Sequence, residues 1–182
     1  AHAKILNINC DLAKQMPGIL CILTNKDLSK MDLGDFPVVV QRQKRNGTTQ
    51  QAAREGLARN RVRFVGDPIA FIVAETLNEA KDAAEQIEIN FELLPALTDL
   101  EDFNGQRLSP IWDDCPDNEA FFFEMGDKSA VETAFNEAGH ITKISYRVNR
   151  ISANAMEPRV SIGNFDFRSE RYFLTTSTQS VH

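Results

Sequence analysis

Apolar positions recur along this chain in two periods, and the switches between them mark the elements. Ala3-Lys4-Ile5-Leu6-Asn7-Ile8 is a short β-type run, followed by Asp11 and a brief helical turn to Met16 that Pro17-Gly18 breaks. Residues 19–24 and 69–74 are apolar at nearly every position, so each is expected as a strand buried on both faces. Arg61-Val62-Arg63-Phe64-Val65 alternates as a half-buried strand does, and Gly66-Asp67-Pro68 turns the chain after it. Thr76-Leu77-Asn78-Glu79 is a capping box: the hydroxyl and the carboxylate can satisfy amides that a helix start leaves free. Leu77, Ala80, Ala84 and Ile87 then share one face, which predicts a helix over 77–87. Glu88–Leu93 alternates again and stops before Pro95.

Two stretches lack a period. Residues 25–60 form a long polar excursion with Gly34, Pro37, Gly47 and Gly56, interrupted by the apolar island Val38-Val39-Val40; loops of this length are usually functional or mobile. Residues 99–120 are acidic and irregular, with Asp99, Glu101, Asp102, Asp113, Asp114 and Asp117, and are expected as a linker. Beyond it, Asp127 caps a helix whose stripe Ala130, Val131, Ala134, Phe135, Ala138 ends at Gly139. Ile144, Tyr146 and Val148 alternate as a strand, as do Val160 and Ile162. Asp166–Glu170 then turns the chain back into Tyr172-Phe173-Leu174, which reads as a β-hairpin. The fold class is α+β: residues 1–98 make one compact domain, and 121–182 hold one helix and about three strands, too little to enclose a core.

Composition narrows the function classes. With net charge −6 and a pI near 5.1, the chain has no electrostatic footprint for nucleic acid. Its one basic segment, Arg42–Arg63, is interrupted by Gln, Asn, Gly and Glu55 and reads as a solvated loop. Cys10, Cys21 and Cys115 are too few and too far apart for a Cys-x-x-Cys metal site. Their odd number argues for a reducing compartment. Cys10 and Cys21 read as small buried hydrophobes. No apolar run approaches the roughly 20 residues of a membrane helix. Ala1-His2-Ala3-Lys4 leads straight into a strand without a signal-peptide pattern, so a cytoplasmic protein is expected, in which Asn46-Gly47-Thr48 is a chance glycosylation match.

Taken residue by residue, the chemistry is sparse. No Gly-rich phosphate loop occurs, and Ser–His–Asp catalysis has no nucleophile-elbow support. Among His2, His140 and His182, the outer two are terminal, and His140 reads as a partner of the helix end before it. Met156-Glu157-Pro158-Arg159 sets a carboxylate and a guanidinium around a proline. By spacing alone this is a turn into a strand with a surface ion pair. Gln179, in a run of Thr and Ser, is by the same logic an edge residue, and Asp67 a turn residue.

Ordered motifs alter that reading. Ala1-His2-Ala3-Lys4-Ile5, Met16-Pro17-Gly18-Ile19, Leu23-Thr24, Val65-Gly66-Asp67-Pro68-Ile69-Ala70, Ala74-Glu75-Thr76 and Phe91-Glu92-Leu93-Leu94-Pro95-Ala96 come first. Gly126-Asp127, Ala153-Asn154-Ala155-Met156-Glu157-Pro158-Arg159 and Thr176-Ser177-Thr178-Gln179 follow. Together they resemble the xanthine dehydrogenase/aldehyde oxidase family of molybdenum hydroxylases, most of all the large chains of carbon-monoxide-dehydrogenase type.

The resemblance implies an α/β hammerhead domain over 1–98 and the beginning of a molybdenum-cofactor-binding domain over 121–182. It implies a molybdenum–pterin cofactor, with iron–sulfur clusters on a small subunit and FAD on a medium subunit. The remainder of the large subunit would be a further partner, in an oligomer. The activity would be hydroxylation of a carbon centre, or oxidation of carbon monoxide, with water as oxygen source. Gln179 matches the glutamine beside the metal, where a neutral amide can donate a hydrogen bond without adding charge. Glu157 and Arg159 match a turn that supports the substrate side. The family's Gly-Gly-x-Phe-Gly loop and its general-base glutamate do not occur here. No residue of this chain is therefore expected as the base or as a metal ligand, and the chain is expected to be the front piece of a larger subunit, inactive alone. The alternative is a hammerhead module that docks partners without redox work.

Overall fold

The computed structural model describes residues 2–38, 41–50, 54–98, 109–149, 151 and 154–178. Val39 and Val40 of the apolar island, residues 99–108 of the expected linker, and Gln179 lie outside the described residues. The elements run β1 (Ala3–Asn9), α1 (Asp11–Lys14), β2 (Ile19–Thr24), α2 (Asn25–Lys30), β3 (Arg61–Val62), β4 (Ala70–Ala74) and α3 (Leu77–Glu85). After these come β5 (Glu88–Leu93), α4 (Lys128–Glu137), β6 (Ser161–Asp166) and β7 (Arg171–Thr176). Two units result, Ala1–Gly126 and Asp127–His182.

In the first unit, β1 is the middle strand of an antiparallel sheet ordered β3-β1-β5, while β2 and β4 pair antiparallel as a separate ribbon. The helix α3 therefore joins strands of different sheets. Its start is the anticipated box: the Thr76 hydroxyl accepts the Glu79 amide at 3.2 Å, and the Glu79 carboxylate accepts the Thr76 amide at 2.9 Å. Ala13 of α1 and Ala83 of α3 are wholly buried, together with Cys10 and Ile22, and Ile8, Met16, Ile19, Ala70, Ile72 and Ile87 pack around them. A methyl side chain on each helix is what lets α1 and α3 come this close. A second cluster joins Ala3, Ala58 and Val62, with Ile5 and Ile69 against it.

Several expectations are corrected here. Only Ile22 of β2 is buried, whereas Leu20 is 65% and Phe71 58% exposed. A two-stranded ribbon has one face on the helices and a second face that nothing among the described residues covers. For the same reason Cys21 is exposed, while Cys10 is buried as anticipated. The β3 strand ends at Val62, because Asp67 bends the chain back: its carboxylate accepts the Arg63 amide at 3.0 Å. Within the polar excursion, α2 went unread. Its start is secured by the Asp27 carboxylate, which accepts the Thr24 amide at 3.0 Å, the same device with Asp in place of Glu.

The basic segment is also not simply solvated. Lys44 is buried, and its ammonium bonds Asp117 at 3.0 Å; Arg61 pairs with Asp113 at 3.1 Å, and the Glu119 carboxylate accepts the Arg45 amide at 2.8 Å. The Arg63 guanidinium lies 3.7 Å from the Trp112 ring centre and that of Arg45 4.5 Å from Phe122. Residues 109–126, the first twelve of them assigned to a linker above, thus clasp residues 42–50 and 61–63 within the first unit.

In the second unit, Asp127 caps α4 by accepting the Ala130 amide at 2.9 Å, but no residue of α4 is buried. β6 and β7 form the anticipated hairpin, paired from Ser161↔Thr176 to Asp166↔Arg171. The strand expected at Ile144–Val148 is not formed: residues 144–148 have no regular secondary structure. Alternation supplies a face, but only a second strand supplies the hydrogen bonds that define a strand.

Candidate functional site

The β6–β7 hairpin is the element that carries the candidate residues, and both of its ends are fastened by side chains. At the turn, the Asp166 carboxylate accepts the Ser169 hydroxyl at 2.6 Å and the Arg168 amide at 3.0 Å. Those bonds, the hydroxyl first, hold the Asp166 carboxyl below its ordinary value. The Phe165 ring packs on Tyr172 at 4.6 Å and edge-on to Phe167 at 5.0 Å. At the open end, the Ser161 and Thr176 hydroxyls meet at 2.8 Å, and the Ser177 amide reaches the Val160 carbonyl at 3.1 Å.

Glu157 and Arg159 lead into β6 at this open end and are exposed; no ion pair joins them among the described residues, so the anticipated surface pair is absent. The strand pairing of the hairpin ends at Ser161↔Thr176, two residues before Thr178. Gln179, the next residue, lies outside the described residues, so the site is defined here by Glu157, Arg159 and the hydroxyls of Ser161, Thr176 and Ser177. That set is rich in hydrogen-bond donors and carries one guanidinium, which suits an anionic, oxygen-bearing group. Among the described residues, no cluster of three or more His, Cys, Asp or Glu could hold a metal ion. A metal in such a site would have to arrive with its own ligands, as in a metal–pterin cofactor.

The other ordered motifs do structural work in the first unit. Gly18 stands at φ +74, and a Cβ there would run into the Glu79 carboxylate. The Gly18 carbonyl accepts the Glu75 amide at 2.8 Å. Met16-Pro17-Gly18 and Ala74-Glu75-Thr76 are thus two halves of one contact, linking the entrance of β2 to the start of α3. The Lys44–Asp117–Cys115 group, which sequence reasoning missed, is the strongest electrostatic feature of the unit. Bonds from Lys44, the Glu119 amide and the Cys115 thiol pull the Asp117 carboxyl down to about 2. The Lys44 ammonium is held above its ordinary value, chiefly by Asp117, while burial pushes the Cys115 thiol up and keeps it protonated. An open cleft of about 520 Å³ lies beside α1 and α2, lined in part by Lys14, Lys26, Lys30, Asp11 and Asp27, with Lys30 paired to Asp27 at 3.4 Å.

Comparison with known proteins shows the family of the chain. Residues 1–95, more than half of the chain, match the family described as aldehyde oxidase and xanthine dehydrogenase, a/b hammerhead domain. The chain belongs to that family. Residues 111–182 match the molybdopterin cofactor-binding domain, so the chain carries the two domains in the order that its motifs implied. It is 28% identical over 191 residues to the nicotine 6-hydroxylase large subunit of Paenarthrobacter nicotinovorans, covering 100% of this chain and 21% of that protein. It is likewise 28% identical over 194 residues to the carbon monoxide dehydrogenase large chain of Afipia carboxidovorans, covering 100% of this chain and 23% of that protein. The crystal structure of quinoline 2-oxidoreductase from Pseudomonas putida 86 superimposes with a TM-score of 0.74 at 25% identity, over 98% of this chain and 22% of that one. The chain therefore spans about a fifth of the length of the relatives it matches. Among the described residues, no helix is long and apolar enough to cross a membrane.

Proposed function

We propose that this chain supplies the hammerhead and the first cofactor-facing strand of the large subunit of a molybdenum-dependent oxidoreductase, of hydroxylase or carbon monoxide dehydrogenase type. The observation that carries the reading is the order of the two family matches, with the β6–β7 hairpin inside the second. When bound, the molybdenum–pterin group supplies the redox centre that takes electrons from the substrate while water provides the oxygen. The residues that would hold it here are few. Gln179 would offer its side-chain amide as a neutral hydrogen-bond donor to the group, and Glu157 and Arg159 would support the substrate side. The hydroxyls of Ser161, Thr176 and Ser177 stiffen the strand that bears them.

The electrons would leave to iron–sulfur clusters and FAD on partner subunits, in a cytoplasmic assembly whose reducing compartment agrees with three free cysteines. The general base and the pterin-binding loops belong to other segments, so the 182-residue chain by itself is expected to be inactive. Metal analysis and dye-linked substrate oxidation test this. A longer polypeptide that includes the chain is expected to hold molybdenum and turn over, and the isolated chain to do neither. Turnover by the isolated chain overturns the division of labour. A longer polypeptide without molybdenum favours the docking module instead.

A further inference from the structure

Asn46-Gly47-Thr48, set aside above as a chance glycosylation match, forms the tip of a turn within the clasp. The Thr48 carbonyl accepts the Lys44 amide at 2.7 Å, and the Lys44 carbonyl accepts the Gly47 amide at 3.0 Å. Gln43 and Thr49 pair as the next bridge. On either side stand residues that hold the acidic stretch: Lys44 and Arg45 before the tip and Gln50 after it, bonded to Asp117, Glu119 and Asp114. Inside the turn, the Asn46 side-chain oxygen accepts two donors from one residue. The Thr48 hydroxyl gives to Oδ1 at 2.7 Å and the Thr48 amide at 2.9 Å. Gly47 stands at φ +79 with open space where a Cβ would sit, and both Asn46 and Gly47 are exposed to water.

We infer that Asn46 is a site of hydrolytic deamidation, activated by Thr48, and that its reaction loosens the clasp. An asparagine followed by glycine can close on itself, because no side chain shields the glycine nitrogen. Hydroxide takes the Gly47 amide proton, and the nitrogen forms a bond to Asn46 Cγ. The Cγ–Nδ2 bond then breaks, and Nδ2 leaves as ammonia with a proton from water. Water opens the resulting imide at either of its two carbonyls, which leaves aspartate or isoaspartate at 46. The net change is gain of water and loss of ammonia, with no oxidant. Attack places negative charge on Oδ1, the atom on which both Thr48 donors already converge, as donors aimed at an oxyanion do. The attack also requires the Gly47 amide to leave the Lys44 carbonyl, an opening that an exposed turn makes readily. The Thr48 bonds reach only two residues along the chain, so they survive that opening. Isoaspartate lengthens the main chain by a methylene between Arg45 and Gln50, and the bonds across the turn no longer meet.

The test follows the full-length protein at mildly alkaline pH by peptide mass spectrometry, which reads the exchange of NH2 for OH at 46. The same dipeptide at Asn104-Gly105 lies outside the described residues and falls in a different peptide. The folded parent is expected to convert at Asn46. Thr48→Val keeps the shape of the side chain without its hydroxyl, and should slow conversion about tenfold in the folded protein. Thr48→Ser should keep the parent rate, and in urea, where the turn is lost, parent and Thr48→Val should convert alike. The chromatographically separated isoaspartate fraction should lose the exchange protection of the Lys44 amide. Asn46→Asp, whose carboxylate accepts the same two donors, should retain that protection. A folded parent that stays intact while the chain in urea converts overturns the inference, and so do equal folded rates for parent and Thr48→Val. Unchanged Lys44 protection in the isoaspartate fraction overturns the loosening of the clasp. Thr48→Ala replaces the Val variant if that one fails to fold.

Discussion

The first unit encloses two buried clusters and joins distant segments by charge, whereas no described residue of the second unit is buried. Both contain a well-capped helix and antiparallel strands, so local structure does not distinguish them. What differs is whether the apolar faces meet. Ala13 and Ala83 close a helix-to-helix contact in the first unit, while Val131 and Phe135 on α4, and Phe173 and Leu174 on β7, stay exposed. A helix or a hairpin without a covered face derives little stability from the hydrophobic effect, which dominates folding. The first unit therefore carries its own stability, whereas the described residues of the second gain little from burial.

The contrast is largest in amide exchange. In the isolated chain, amides of β1 and β5 are expected to exchange more slowly than those of α4, β6 and β7 by on the order of a thousandfold. Equal protection in the two units would break the distinction. Gly18→Ala is the next largest effect. It forces a side chain onto φ +74 and against the Glu79 carboxylate, so a loss of about 1–3 kcal/mol from the first unit is expected in denaturant unfolding. Glu79→Ala should relieve part of that strain in the double variant.

The two helix caps sharpen the comparison further. Thr76→Ala should lower the stability of the first unit by about 1 kcal/mol, because α3 is part of its core. Asp127→Ala removes a cap of the same kind but should leave that transition where it was and reduce only the far-ultraviolet helix signal. The smallest effect is the pH dependence of the clasp. Asp117 falls from an ordinary value near 3.8 to about 2 in the folded chain, so its contribution is present above about 3.8 and is lost as pH falls toward about 2. An Asp117→Asn variant should show less acid destabilisation in that window, and no change at neutral pH in the slope of stability against pH.

Much of this was readable from residues close together in the chain. The α3 box, the α4 cap and the β6–β7 hairpin each rest on hydrogen bonds between sequence neighbours or on a short turn, and each was anticipated. The α2 helix had the same signal in Thr24 and Asp27, hidden because Asp replaces the usual Glu or Gln at the third position. The strand expected at 144–148 shows the opposite error. Its alternation is real, but alternation supplies a face and not the ladder of hydrogen bonds that defines a strand. At the site, spacing alone read Glu157 and Arg159 as a turn with a surface ion pair, and only resemblance to a family offered them a role. The hydroxyl of Ser177 was missed altogether, because its partner Val160 is 17 residues away and the register decides their meeting.

By itself, the order of the residues determined the family, the capped helices and the hairpin, because ordered motifs and bonds among near neighbours do not depend on how the chain closes on itself. Tertiary structure alone decided that Gly18 makes room for Glu79, that Lys44 is buried beside Asp117, and that a polar loop and an acidic stretch are a single clasp. Those partners are separated by dozens of residues, and nothing in either segment names the other. Loop closure brings them together, and burial selects the pairing in which each charge and each close approach is satisfied.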